Sequence, residues 1–336
     1  MNTVPDVGMP PTAPSGVSKA RFRLRRTTSR LLRLLVVLLG LSIVSFLLVR
    51  LLPGGPAQVL VGVRASPEAI DRINAQLGLD EPLPVQYLRY MSQVLSGNLG
   101  ESFFTGAPVA GIVADHIWIS LQLIGLSILL SVLIAVPLAI ISANARGRWP
   151  DRFTRSIVVV TFGFPSFWVG IVLIAILSLK LGIFPSGGIG EGFFDSLWHL
   201  FLPALTLTLT FLAVLVRSLR ASLSDLLDED YIDAARLKGI GTVRLWIHHI
   251  LRIGLVPAIG ILAMNAAYLL GTSVIVENVY ALPGLGQQLV SAVLQRDFLV
   301  VQGITFTFGV LVVLFGLVIE LLQARLDPRL RDGVSG

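Results

Sequence analysis

The chain has 336 residues, of which 54% are hydrophobic and 14% charged, and its mean hydropathy is +0.82. That is too much apolar surface for a soluble domain of this length, and a bilayer is the solvent that absorbs it. The absence of cysteine excludes disulfide frameworks and thiolate metal sites, while the net charge of +6 points to nucleic acid only if the basic residues do not cluster at span ends, as here they do.

Residues 1–30 read as a disordered basic cytoplasmic tail, opening with Pro, Gly, Ser and Thr and closing on Lys19, Arg21, Arg23, Arg25, Arg26 and Arg30. The first apolar run, 31–52, ends in Leu52-Pro53-Gly54-Gly55 with no small-x-small cleavage site, so it is an uncleaved signal anchor rather than a signal peptide. Residues 53–115 form the one sizeable external segment. Ser66-Pro67-Glu68 starts a helix that Gly78 stops, and a second helix runs from Pro84 to Ser96 with Tyr87, Leu88, Met91, Val94 and Leu95 on one face. On periodicity alone both helices lie on the outer leaflet.

Against the requirement of about 20 apolar residues per spanning helix, five further runs follow: 117–141, 156–179, 199–217, 253–276 and 298–320. Of these, 199–217 has 17 residues between His199 and Arg217 and relies, like the first run, on snorkelling ends or local thinning. The expected fold class is therefore an all-α integral membrane protein of six transmembrane helices, with a core over 116–323 and a short tail over 324–336. Placing both termini in the cytoplasm puts 20 of the 26 Lys and Arg residues inside, and only Arg50, Arg64, Arg72, Arg89, Lys180 and Arg296 outside. Pro137, Pro165 and Pro203, with Gly163, mark kinks.

Between the fourth and fifth spans lies a soluble-looking loop, 221–252. Within it Glu229-Asp230-Tyr231-Ile232-Asp233-Ala234-Ala235-Arg236-Leu237-Lys238-Gly239 reads as a short rigid helix: acids open it, Ala234 and Ala235 give it a small-residue face, Arg236 and Lys238 close it, and Gly239 falls where a left-handed cap belongs. Beyond it, Val243, Trp246, Ile247, Ile250 and Leu251 make an apolar stripe opposite Arg244, His248 and Arg252, so a second helix lies along the inner leaflet.

This loop resembles the EAA loop of ABC importer permease subunits. The flanking segments narrow the resemblance to the B-type subunits of the dipeptide/oligopeptide/nickel transport family: Leu52-Pro53-Gly54-Gly55-Pro56, Leu77-Gly78-Leu79-Asp80-Glu81-Pro82 with Gln86-Tyr87, Gly97-Asn98-Leu99-Gly100-Glu101-Ser102, Pro283-Gly284-Leu285-Gly286, Arg296-Asp297 with Val301-Gln302-Gly303, and Leu326-Asp327-Pro328-Arg329. Asp233 stands where the family has Glu, the closing proline comes late at Pro257, Asn98 stands for Asp, and Trp118-Ile119-Ser120 replaces a Pro-x-Thr start of the second span. The resemblance implies a type I ABC importer permease in the cytoplasmic membrane of a prokaryote, not itself an enzyme. It further implies a second homologous permease, two ATPase domains that bind ATP and Mg, and an external substrate-binding protein that the 53–115 segment helps to seat. Glu229, Asp230, Tyr231, Asp233, Ala234, Ala235, Arg236, Lys238 and Gly239 become the coupling helix that sits in an ATPase cleft. Peptides are the leading cargo class, with nickel and glutathione as alternatives.

The remaining sequence agrees on where the energy comes from. There is no G-x-x-x-x-G-K-[ST], H-E-x-x-H or G-x-S-x-G, and His116, His199, His248 and His249 lack metal-ligand spacing to acidic partners. The second to fifth runs hold no Asp, Glu, Lys or Arg between their ends, which disfavours the rival reading of an ion-coupled secondary carrier. A purely structural scaffold would carry no flux at all. Candidates for the substrate path are Thr161, Ser166, Thr206, Thr210 and Asn265, although such groups more often bond across packed helices or back to carbonyls.

Overall fold

A computed structural model describes residues 32, 34–47, 74–75 and 78–326. The expected external helix after Ser66 and the segments around Leu52 and Asp327 lie outside the described residues. Among the described residues the regular structure is all helical, with one bridge pair between Glu101 and Pro108 and no strand.

Eleven helical elements follow in chain order: α1 (Leu34–Leu47), α2 (Leu83–Leu95), α3 (Val109–Asn144), α4 (Trp149–Phe162), α5 (Ser166–Lys180), α6 (Phe193–Leu227), α7 (Asp230–Leu237), α8 (242–254), α9 (Val256–Val279), α10 (Leu285–Leu294) and α11 (Phe298–Leu326). Three of them, α3, α6 and the Phe298–Ile319 part of α11, are long and apolar enough to cross a membrane. At 36 and 35 residues, α3 and α6 reach about 54 Å at 1.5 Å per residue, well past a hydrocarbon core of about 30 Å. Both therefore project beyond the runs 117–141 and 199–217.

The third expected span, 156–179, is not one helix. Pro165 biases Phe164 away from helical geometry, so the chain breaks between α4 and α5, and Ile174–Lys180 at the end of α5 winds as a π-helix. By contrast Pro137 and Pro203 sit inside continuous helices.

α3 and α6 pack along their lengths and form the spine. Around their C-terminal halves one apolar cluster joins Ala135, Ala139, Leu212, Leu219 and Leu223 to Ile232, Ala235, Leu245 and Ile250 of α7 and α8. A second cluster ties α3, α10 and α11 through Val109, Ile124, Leu285, Val300 and Ile304, and a third packs Leu123, Leu207, Val276 and Tyr280.

α1 leans on α11, where the Ser45 hydroxyl donates to the Gln302 carbonyl at 3.1 Å. α2 folds over it, with Tyr87 edge-on to Phe46 at 5.4 Å and its hydroxyl 2.7 Å from Ser42. This aromatic seat turns α2 differently from the expected face. Gln86, Tyr87, Tyr90, Met91 and Val94 are inward, whereas Leu88 and Leu95 are exposed at 67% and 81%. Gln86 decides the matter, because its amide donates to the carbonyls of Leu79 and Glu81 at 2.8 and 2.6 Å and so pins α2 to the turn before it.

Candidate functional site

The helix α7, expected from the sequence to couple, is capped as its residues demand. Gly239 has φ +77, its N–H donates to Arg236 O at 2.9 Å, and the Ile240 N–H donates to Ala235 O at 3.2 Å. These are the paired bonds of a Schellman ending, and Ile240 carries the chain back onto the core. Asp230 and Asp233 occupy the first turn and Arg236 the last, signs that suit the helix dipole. The Arg236–Asp233 pair at 3.1 Å is open to solvent on both sides and contributes only about 0.2–1 kcal/mol.

Which face α7 offers differs from the expectation. Ile232 and Ala235 are buried against the chain's own core, so Ala235 is not available to a partner. The outward face is Tyr231, Asp233, Ala234, Arg236 and Lys238, together with Leu237, which is 90% exposed. Leu237 was absent from the expected coupling set; its signal was present, since Ile232 and Ala235 stand three apart and leave Leu237 on the opposite side.

α8 also rotates its stripe. Trp246–Ile250 is a π-helical stretch between the α-helical Thr242–Leu245 and Leu251–Gly254. With i→i+5 bonding, Leu245 and Ile250, five apart, both point inward, while Val243 and Ile247 of the expected stripe face out. Gly254 sits where a Cβ would strike Leu223 of α6, so α8 runs close against the end of α6.

Behind α7 lies a buried charged cluster that no local pattern announces. Asp151, at the start of α4, is fully buried. Its Oδ1 accepts from the Ser142 hydroxyl at 2.5 Å and from Arg220 Nε at 2.8 Å. Its Oδ2 accepts from Arg220 Nη2, Arg155 Nη2 and the Gly147 N–H, each at 3.0 Å. Arg220 Nε also donates to the Ser142 hydroxyl at 2.9 Å. Burial pushes the Asp151 carboxyl up, but the Arg220 and Ser142 hydrogen bonds, the Gly147 N–H and the Arg220 charge outweigh it and hold the carboxyl well below the usual carboxylate range. Next to it Arg146 donates to both Asp228 oxygens at 3.1 and 2.7 Å and to the Ser224 carbonyl. The α3–α4 turn is thus fastened to the residue that caps α6, two positions before α7.

The end away from α7 is tied by carboxylates of another kind. Asp297, before α11, accepts from the Ser102 hydroxyl and from the N–H groups of Phe103 and Phe104 at 3.2 and 3.3 Å. Two sequence-distant segments, Gly97 to Ser102 and Arg296-Asp297, meet through that one carboxylate. Glu277 accepts from Ser120 at 2.7 Å and from the N–H groups of Gly286 and Gln287 at 2.6 and 3.2 Å, capping α10. At Gly284 and Gly286 the carboxylate leaves no room for a Cβ. Ser120 therefore supplies a hydroxyl at the position where the resemblance expects Thr, and also receives the Leu285 N–H at 2.9 Å. The fifth apolar run ends at 276, but its helix continues to Val279 and includes this buried acid.

Of the expected path residues, Thr206 is fully buried, its hydroxyl 2.9 Å from the Tyr280 hydroxyl and 3.0 Å from the Leu202 carbonyl. Thr210 is half-buried and bonds back to the Thr206 carbonyl at 3.0 Å. Ser166 is buried at the start of α5, and the side chains of Thr161 and Asn265 lie outside the described residues. Among these positions the geometry brings together Thr206 and Thr210 on α6 and does not bring Ser166 to them by any hydrogen bond among the described residues.

Known proteins share this architecture and sequence. Residues 135–332 match the family described as binding-protein-dependent transport system inner membrane component, and residues 20–124 match its N-terminal membrane component. The chain is 38% identical over 302 residues to the glutathione transport system permease protein GsiC of Escherichia coli O6:H1, covering 90% of this chain and 97% of that one. It is 37% identical, with the same coverage, to GsiC of Salmonella paratyphi A. Its fold is similar to a chain of the inward-facing MetNI methionine ABC transporter, with a TM-score of 0.54 at 17% identity, over 64% of this chain and 96% of that one. The chain belongs to the family of binding-protein-dependent, ABC-importer inner-membrane permeases.

Proposed function

We propose that this permease subunit crosses the membrane six times with both termini in the cytoplasm, lines half of a peptide path and is driven through α7. Positive charge at the cytoplasmic ends supports the orientation, and the observation that carries the coupling role is the outward face of α7, capped by Gly239 and seated by Ile232 and Ala235 on the core. Tyr231, Leu237 and Lys238 then enter a cleft of the ATPase partner, which binds ATP and Mg. Two such pegs drawn together on ATP binding switch the helices between outward and inward opening. A second permease chain completes the path, and the 53–115 segment helps to seat the external binding protein. We assign this chain no ATP hydrolysis of its own, since it carries no phosphate-cradling loop.

The cargo we assign is a short peptide. The relatives named for glutathione, itself a modified tripeptide, favour that end of the family over nickel. For the path we retain Thr210 on the half-buried side of α6, with Thr161, Ser166 and Asn265, and place Thr206 in the helix packing behind it. The test is uptake by proteoliposomes holding the full complex. ATP-dependent accumulation of di- or tripeptides or of glutathione is expected; uptake that survives without ATP and collapses with an ion gradient overturns the reading.

A further inference from the structure

We propose that Asp151, with Arg220 and Ser142, is a positioning cluster that makes the cytoplasmic ends of α3, α4 and α6 move as one body with the coupling helix. The proposal rests on the coupling reading above and names residues that deliver its motion. A peg attached to α6 alone would move one helix. Here the attachment is wider, because Asp151 opens α4, Ser142 closes α3 and Arg220 belongs to α6, and a single carboxylate holds all three at 2.5–3.0 Å. Gly147 in the α3–α4 turn donates to the same carboxylate. Arg146, in that turn, then grips Asp228 and Ser224 where α6 gives way to α7. The apolar cluster below runs without a gap from Ala139 and Leu219 to Ile232 of α7.

A buried ion pair is poor at adding net stability but costly to break from one side. It has one favourable arrangement rather than a continuum, and that is what a rigid transmitting joint needs.

The experiment uses the complete transporter and pairs of spin labels, which the cysteine-free chain accepts cleanly. Labels at Arg148→Cys and Thr242→Cys span the clasp from turn to coupling loop, while labels at Asn98→Cys and Thr242→Cys span the molecule. Between nucleotide-free and ATP-bound states the 98–242 distance should change and the 148–242 distance should not. In Asp151→Asn the 148–242 distribution should broaden and become state-dependent. ATP should still be hydrolysed by the bound partner, and uptake per ATP should fall about tenfold. Arg220→Lys, which keeps the charge, should lose less. A 148–242 distance that changes between states in the parent chain overturns the clasp while leaving the coupling reading standing. So does an Asp151→Asn transporter with a narrow distribution and full uptake per ATP. A 98–242 distance that stays fixed during active transport overturns the coupling reading, and the clasp with it. The parent distances decide the matter even if Asp151→Asn does not assemble.

Discussion

The two ends of this molecule are held by buried carboxylates that are satisfied in opposite ways. At the end away from α7, Asp297 and Glu277 accept hydrogen bonds from hydroxyls and backbone N–H groups, and neither forms an ion pair among the described residues. At the end near α7, Asp151 faces Arg220 and Arg155. Asp297 draws the Ser102–Phe104 loop onto the start of α11, and Glu277 joins α9 to Ser120 of α3 and to the start of α10, each through neutral donors alone. At Asp151 a guanidinium from α6 does the fastening by charge, and with Ser142 it joins α3, α4 and α6. Both ends tie distant segments together, one through hydroxyl and N–H donors and the other through paired charge.

The largest expected effect is at the charged end. Arg220→Met leaves the buried Asp151 with only Arg155, Ser142 and the Gly147 N–H to hold its charge, a loss approaching the roughly 3–5 kcal/mol of a broken buried pair, read as a fall in the thermal midpoint of the purified complex. Replacing both members, Asp151→Leu with Arg220→Met, should recover most of it, because the cost lies in the orphaned charge. Acid should act on the same joint late. A depressed folded pKa contributes stability that is complete above the ordinary Asp value of about 3.9 and is lost only as pH falls through the lower folded value. The 148–242 label distance should therefore hold unchanged at pH 5 and loosen only below about pH 4.

Next comes the neutral end. Asp297→Ala strands the Ser102 hydroxyl and the N–H groups of Phe103 and Phe104, at about 1–3 kcal/mol for each donor that water cannot reach. Its signature should be local. Proteolysis of the Leu99 to Thr105 loop should speed up while the 148–242 distance stays fixed. If Asp297→Ala disturbs the cytoplasmic labels as much as Arg220→Met does, the two ends are not distinct in kind.

Gly239 gives a smaller effect with a cleaner cause. Nothing lies within 4 Å of a Cβ built there, so substitution meets no clash and the cost is conformational alone, about 1–2 kcal/mol for an L-residue in the left-handed region. Gly239→Val should lose most, Gly239→Ala less and Gly239→Asn least, in ATPase-coupled uptake as in thermal midpoint. An equal loss for Ala and Asn would mean that backbone conformation is not what matters at this position.

Much of this was legible in the sequence, and what was not has a common physical origin. Gly239, the acids of α7, the helix over 83–95 and the apolar runs that lie within α3, α6 and α11 follow from local propensity and period, and each is where one-dimensional reasoning places it. The misses arise where distant residues decide. Asp151 and Arg220 each read as an ordinary charge at a span end, and only packing of α4 on α6 turns them into one site. Glu277 lay one residue past a run defined by hydropathy. The π-helical turns in α5 and α8 shift faces that a 3.6-residue period assigns, as Val243 and Ile247 show. Ala235 looked like a partner-facing small residue because nothing local says that Ile232 and Ala235 anchor the peg to its own chain.

That last distinction carries the smallest effect on stability and a specific one on function. Leu237 touches almost nothing in this chain, at 90% exposure, so Leu237→Ala should change the subunit's own stability by no more than about 0.5 kcal/mol. Under the coupling reading a partner covers Leu237, and covering a Leu side chain contributes about 1.5–3 kcal/mol. Leu237→Ala should then weaken ATPase association about tenfold, measured by titrating the ATPase subunit onto permease held in nanodiscs. Ile232→Ala is the matched control on the buried side of α7: it should lower the thermal midpoint first and association only as a consequence. If Leu237→Ala binds the ATPase as tightly as the parent does, the outward face of α7 docks through its charges alone, and the apolar side of the peg belongs wholly to its own chain.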